Sequence, residues 1–347
     1  MSDRLNHEDR GWQPLYEFED ILCRLSNATL LTPRRRSPIR HGGRLRRRIL
    51  SEYKPISVAV NLHNSTVAKV LLVVAPTPRG LDMVRSIPMW RSKFDIIACY
   101  ICDSYHYDQY PAHTQLFDHL FVPIQESVEP VAAAHNVPVH LLPFGADVLH
   151  CGCVSNKRPI DIMAYGRQPT DFTDAFAKYY NSLGNGRIFL HSTTKRHYVP
   201  DWKQDRAVFW KLLRRSQVAL AFDTLIQGAH SRTIPFSILT PRWFECLAAG
   251  CVVVGKRPRV PLASELLNWS DAIIDLPETP KGAIKFVDDL LCDQRHLNQI
   301  RKKNINKMAS SHDWRFRIEM LFNTLQIPIP QSLQNELSLL NQMLSGM

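Results

Sequence analysis

No stretch of the 347-residue chain approaches the roughly 18 consecutive apolar residues of a membrane span; the longest candidate is AKVLLVVAP. The opening residues, MSDRLNHEDRGW, are too polar for the apolar core of a secretory signal. The eight cysteines lack convincing metal spacing. Cys99 and Cys102 lie three apart in FDIIACYICD, which reads as a strand, so they point to opposite faces. Cys151 and Cys153 are separated by one residue instead of the usual two. Without a signal, these are most simply buried thiols. Acid is the scarcer charge, with 32 Asp and Glu against 43 Lys and Arg. The expectation is a cytoplasmic protein without bound metal.

The net charge of +11 is concentrated. Arg34, Arg35, Arg36, Arg40, Arg44, Arg46, Arg47 and Arg48 fall within fifteen residues, in TPRRRSPIRHGGRLRRR. Three readings stay open: an anionic membrane surface met peripherally through Arg34–Arg48, nucleic acid, or a solvated charge run without a partner. The run lacks interleaved aromatics and any known nucleic-acid motif, so no specific nucleic acid is expected.

With 45% hydrophobic residues, the chain can bury two ordinary cores. Residues 1–55 read as a basic lead-in, partly disordered or peripheral, with a helix in LYEFEDILCRL. Residues 56–150 alternate as βαββαβ: VAKVLLVVAP, DIIACYICD, LFDHLFVPI and VPVHLLPFG carry strands. After a break at CGCVSNK, residues 151–325 alternate again. RPIDIMAYG, GRIFLHS, SQVALAFDT, GCVVVG and DAIIDLP are its strands, separated by helical patterns such as TDFTDAFAKYYNSL and PRWFECLAA. Residues 326–347 hold a terminal amphipathic helix. The fold class is therefore α/β: two facing, doubly wound, parallel-sheet domains.

In open parallel sheets, ligands bind at the carboxyl ends of the strands. In the second block those ends carry Gly166 and Arg167, His191, Asp223 and Thr224, the segment from Ser237 to Arg242, and Lys256 and Arg257. That rim gathers cations, hydroxyls and a helix start. Thr240 reads as an N-cap and Pro241 as a first-turn residue, so the helix start favours a phosphate. Gly250 fits the left-handed position beyond the helix. Within TPRWFECLAAGCVVVG, Glu245 is the odd residue. Either it faces solvent, or something binds a carboxylate that is otherwise costly to bury. A ribose cis-diol would satisfy it.

RPIDIMAYGRQ, TPRWFECLAAGCVVVG and SHDWRFRIEML resemble the C-terminal half of a GT-B glycosyltransferase of the family 1/family 4 type, with the CgeB-like branch nearest. YICDSY, FDHLFVP and VPVHLLPFGAD resemble its N-terminal strands, so the likeness covers about residues 56 to 325. The resemblance implies a nucleotide-sugar donor, an acceptor the sequence does not identify, hexosyl transfer and no cofactor. It implies that Glu245 is the second acid of a Glu-x7-Glu motif and holds the ribose, and that Arg167 meets the diphosphate. Ser237 stands where the first acid, which contacts the transferred sugar, would fall. The diphosphate-clamping Lys is also missing after GRQPTDF; Lys256, Arg257 or Arg242 would substitute. No Asp-x-Asp, the metal-holding signature of the other large glycosyltransferase fold, occurs. Cations and a helix start are then expected to stabilise the leaving diphosphate. For an inverting reaction the candidate base is Asp103, which reads equally as a strand-end turn residue. Asp313 reads as a helix cap. The alternative to an enzyme is a noncatalytic GT-B-like module that binds an anionic surface or polymer through its Arg-rich segment.

Overall fold

The structure, a computed structural model, describes residues 1–6, 9–36, 52–58, 68–152, 157–191, 199, 201–226 and 236–345. Most of the Arg-rich run and the CGCVSNK break lie outside these residues. The chain divides into two units, one of residues 1–143 and 318–333, the other of 144–317 and 334–347.

Unit 1 is built on a four-stranded parallel sheet in the order β1 (Val70–Ala75), β2 (Ile96–Ile101), β3 (His119–Val122) and β4 (Val139–Leu141). Its β1 and β2 are near-continuous apolar runs because helical segments cover parallel sheets on both faces. The described residues of the lead-in pack into this unit. Leu15, Phe18, Leu22 and Leu25 recur at helical spacing on α1 (Gln13–Ser26), and all four are buried. The Phe18 ring meets Tyr100 of β2 edge-on at 5.4 Å. Ahead of α1, Ser2 pairs with Val74 of β1. Of the basic run, Arg35 is bound by Asp3 and Tyr53, whereas Arg34 and Arg36 are exposed.

Unit 2 carries a five-stranded sheet, every pair parallel, in the order β6-β5-β7-β8-β9. These strands are β5 (Ile160–Ala164), β6 (Phe189–His191), β7 (Ser216–Phe222), β8 (Val252–Lys256) and β9 (Ile274–Asp275). Strand β5 sits between β6 and β7, so the chain reverses its winding direction there. The helices that bear on the site are α5 (Thr170–Tyr180), α6 (Trp202–Leu213), α7 (Pro241–Ala248) and α10 (Gln294–Ser311). For numbering, α2 is Trp90–Lys93, α3 Val128–His135, α4 Val148–Cys151, α8 Pro261–Leu266, α9 Pro280–Cys292, α11 Trp314–Thr324 and α12 Gln331–Ser345. The expected fold class, α/β with two parallel sheets, is the one observed.

The domain boundaries differ from the sequence reading. The first division falls at residue 143, before the polar break, because residues 144–152 are hydrogen-bonded into unit 2. There the Ala146 N–H donates to the His312 carbonyl, and the Leu149 N–H donates to Asp313 Oδ2. Residues 318–333 return to unit 1, where Ser332 Oγ donates to the Leu25 carbonyl. One fully buried guanidinium organises the roots of these crossings on unit 2. Arg315 binds Asp147 at 2.7 Å, Asp313 at 2.8 Å and Glu336 at 2.7 Å. Each of these acids lies within four residues of a crossing in the chain. Burial alone would lower the pKa of Arg315, but Asp313 and Asp147 outweigh it and raise the value. Asp313 also caps α11 as expected, accepting from the Arg315 N–H at 2.8 Å.

Candidate functional site

The carboxyl ends of the unit 2 strands bring several of the expected residues together. Strand β5 ends at Ala164; Tyr165 follows, and Gly166 then turns the chain with φ of +68°, a conformation that costs any other residue. A Cβ at Gly166 would lie 2.4 Å from Arg242 Nη2, so the guanidinium packs directly on the turn. Arg242 Nη1 donates to the Arg167 carbonyl at 2.8 Å, and its guanidinium lies 5.6 Å from the Tyr165 ring centre. Burial lowers the pKa of Arg242. Among the described residues neither Arg167 nor Arg242 makes an ion pair with a carboxylate. The Arg242 guanidinium thus packs on the turn that carries Arg167, and the charge of Arg167 adds to the lowering of the Arg242 pKa.

Helix α7 begins where the sequence placed it. Thr240 is its N-cap, with extended backbone, and Pro241 is its first residue; the Thr240 hydroxyl makes no capping hydrogen bond. At the other end the Gly250 N–H bonds the Leu247 carbonyl and the Cys251 N–H bonds that of Cys246. With Gly250 at φ of +70°, this is a Schellman closure.

Glu245 does not face solvent; it is 3% exposed. Its charge is met from within the unit. Oε1 accepts from Arg206 Nη1 of α6 at 2.5 Å, and Oε2 accepts from the Tyr165 hydroxyl at 2.9 Å. The Arg206 guanidinium lies 4.9 Å from the Phe209 ring centre and 4.8 Å from that of Trp210, an aromatic setting that lowers the cost of burying it. Burial raises the Tyr165 phenol well above its ordinary value, which keeps it a proton donor. The sequence reading missed Arg206 and Tyr165. Each oxygen of Glu245 thus accepts one hydrogen bond from a neighbouring side chain.

Ser237 is buried, and its hydroxyl donates to Asp223 Oδ2 at 2.5 Å. Asp223, 2% exposed at the end of β7, also accepts from the Thr224 hydroxyl and from the Leu225 and Arg259 N–H groups. One carboxylate therefore ties together the loop after β7, the segment entering α7 and the loop after β8.

The other expected residues lie elsewhere. Lys256 is paired with Glu278 at 2.5 Å, and Arg257 Nη2 donates to the Ile273 carbonyl at 3.2 Å. Both are directed toward β9, and β8 is two strand spacings, about 10 Å, from β5. They do not join Arg167, so Arg242 is the substitute cation the geometry favours. His191 ends the edge strand β6, stacked on Phe189 with ring centres 6.1 Å apart, and burial lowers its pKa. Asp103 lies in unit 1 just beyond β2, half-buried, its N–H on the Pro76 carbonyl and its own carbonyl accepting from the His106 N–H. In SHDWRFRIEML, Arg317 Nη2 donates to His312 Nδ1 at 3.0 Å, and Arg317 Nε donates to the Phe144 carbonyl. No described helix is long and apolar enough to cross a membrane.

Residues 175–323, within the second alternating block, match the family described as glycosyl transferase-like. The glycosyltransferase resemblance read from the sequence therefore stands; the match does not extend to its CgeB-like branch. No curated protein matches the chain. Among solved structures, the chain is similar to HepE of Anabaena in complex with UDP-glucose, at 12% identity and a TM-score of 0.48, covering 74% of this chain and 78% of that one. It is also similar to the pneumococcal O-GlcNAc transferase GtfA in complex with UDP and GlcNAc, at 10% identity and a TM-score of 0.45, over 74% of this chain and 56% of that one. These likenesses are distant, and the family resemblance rests on the matched segment.

Proposed function

We propose that the protein is a nucleotide-sugar-dependent glycosyltransferase of hexosyltransferase type, acting without a metal. The observation that carries this reading is the Arg242 guanidinium packed on the Gly166 turn at the carboxyl end of β5, with Arg167 on the same turn and neither making an ion pair with a carboxylate among the described residues. A diphosphate supplies the charge they lack, and the start of α7 adds backbone N–H groups and the helix dipole. The family match over residues 175–323 supports the same reading. In the proposed step an acceptor oxygen bonds to the anomeric carbon as the bond to the diphosphate breaks. The diphosphate leaves with the electron pair, stabilised by Arg242, Arg167 and the helix start. The acceptor proton passes to a general base. Glu245 holds the ribose through its remaining lone pairs, while Arg206 and Tyr165 fix its orientation.

Ser237, standing where the family resemblance implies an acid, favours a second reading: a noncatalytic module that contacts an anionic surface through Arg34–Arg48. One set of measurements separates the two. Calorimetric titration with UDP, GDP and dTDP is expected to give binding to one nucleotide, weakened at least tenfold in R242A, with slow hydrolysis of the corresponding sugar conjugate. Binding to none of the three, together with retention on anionic vesicles, would establish the second reading instead.

A further inference from the structure

Unit 1 carries an open hollow of about 470 Å³, lined by Met89, Trp90, Arg91, Ser92 and Leu116. These residues precede β2 and β3, so the hollow lies at the amino ends of those strands. A parallel sheet binds its ligands at the other, carboxyl end. Met89 is 77% exposed and Leu116 45%. The Trp90 ring packs on Phe117 and His113, with ring centres 5.7 and 6.1 Å away, which anchors one wall.

Met89 is exposed at a backbone cost. Its φ of +52° lies in the left-handed region, and a long apolar side chain lacks the local hydrogen bonds that let Asn or Asp enter it. Ser92 fixes the conformation: its N–H and its hydroxyl both donate to the Met89 carbonyl, at 3.1 and 3.0 Å. A strained residue this exposed gives the core little in return, and such outliers collect at functional positions.

The chemistry of the rim says what covers the hollow. Its polar groups are already engaged, Ser92 by Met89 and Arg91 by Asp118 at 2.7 Å, so it lacks the convergent polar groups that orient a soluble ligand. A stable protein interface needs about 20–30 residues a side, and five line the hollow. A bilayer asks for less: a few exposed apolar side chains, an indole at headgroup depth and cations beside them. Lys93 ends α2, and Lys69 adjoins it, its carbonyl accepting from the Asp95 N–H at 2.8 Å. Among the described residues neither ammonium group has a carboxylate partner.

We propose that unit 1 docks on an anionic lipid bilayer through this hollow. Met89 and Leu116 enter the acyl boundary, Trp90 lies at headgroup depth, and Lys69 and Lys93 meet the anionic headgroups. The surface is separate from the Arg34–Arg48 run, and the proposal does not depend on the nucleotide-sugar reading.

Sedimentation of the full chain with vesicles of phosphatidylcholine, alone or mixed with phosphatidylglycerol, tests it. In M89G/L116S the glycine takes the left-handed conformation freely, so the fold is kept, as melting curves would check. Wild type should sediment with the mixed vesicles, and M89G/L116S should bind them at least about tenfold more weakly. K69S/K93S should lose about tenfold on the mixed vesicles only. The loss in M89G/L116S should reappear in an R34S/R36S background, since the hollow acts apart from the Arg-rich run. No binding of wild type to either vesicle, or binding that M89G/L116S leaves intact, overturns the proposal. So does a concentration-dependent dimer in solution that M89G/L116S abolishes, which would give the hollow to a second copy of the chain.

Discussion

Arg206 Nη1 and Glu245 Oε1 meet at 2.5 Å, with their side chains 8% and 4% exposed. The charge that stands out in the sequence of α7 is thus balanced by an arginine 39 residues away on α6. Removing one partner of a buried pair leaves an uncompensated charge, which typically costs about 3–5 kcal/mol. R206M should lower the urea midpoint by that order. E245Q should cost less, because an amide oxygen still accepts from Arg206 or Tyr165. R206M/E245Q should recover most of the loss. Additive losses in this double-mutant cycle would show that the pair is not coupled in solution.

Glu245 also marks where sequence reading stopped. The strands of unit 2 were legible because burial on both faces makes each a short apolar run, and the Thr240-Pro241 start and Gly250 stop of α7 follow from local backbone chemistry. What a side chain touches across the fold has no local signature. Arg206 reads as one more charge on an amphipathic helix. Lys256 and Arg257 group with Arg167 in the sequence because all fall at strand ends, but Glu278 and the Ile273 carbonyl draw them away. The return of residues 318–333 to unit 1 was equally silent, since a helix crossing between units looks like any other helix.

Gly166 permits both the turn and the approach of Arg242. G166A should destabilise unit 2 by about 1–2 kcal/mol through left-handed backbone strain alone. The added Cβ also displaces the Arg242 guanidinium, so nucleotide affinity should fall further than the melting temperature implies. In G166A/R242A the steric part disappears and only the backbone part remains. Melting curves of the three variants, with nucleotide titrations alongside, separate the two effects.

Asp223 accepts from Ser237, Thr224, Leu225 and Arg259, so three loops of the rim depend on one carboxylate. In D223N one oxygen becomes an NH2 group facing a hydroxyl or N–H donor. The expected cost is about 1–3 kcal/mol, as for a buried donor left unpaired. S237A removes a single bond and should cost less. Hydrogen exchange should report faster opening of residues 236–240 in D223N, and unchanged exchange there would show that the carboxylate does not hold the loop.

His312 gives unit 2 a defined response to acid. Burial, with Arg317 beside it, lowers its pKa to about 3, so the ring stays neutral and Nδ1 accepts from Arg317. In the unfolded chain the same ring takes up a proton near its ordinary value of 6.5. Below that pH the unfolded state binds more protons, and stability falls as pH drops from about 6.5 toward 3, by about 1.4 kcal/mol per unit. At pH 5 the contribution is a loss of about 2 kcal/mol relative to neutral pH. H312N keeps an acceptor for Arg317 without a titrating ring. His150 has the opposite sign: its hydrogen bond to Asp147 raises its pKa, adding stability that is lost as pH rises above 6.5. That contribution is common to both proteins and cancels in their difference. Urea unfolding of wild type and H312N at pH 7.5 and pH 5 should therefore show the wild type losing about 2 kcal/mol more than the variant. Parallel losses would mean that His312 is protonated in the folded protein and that its bond to Arg317 is broken at pH 5.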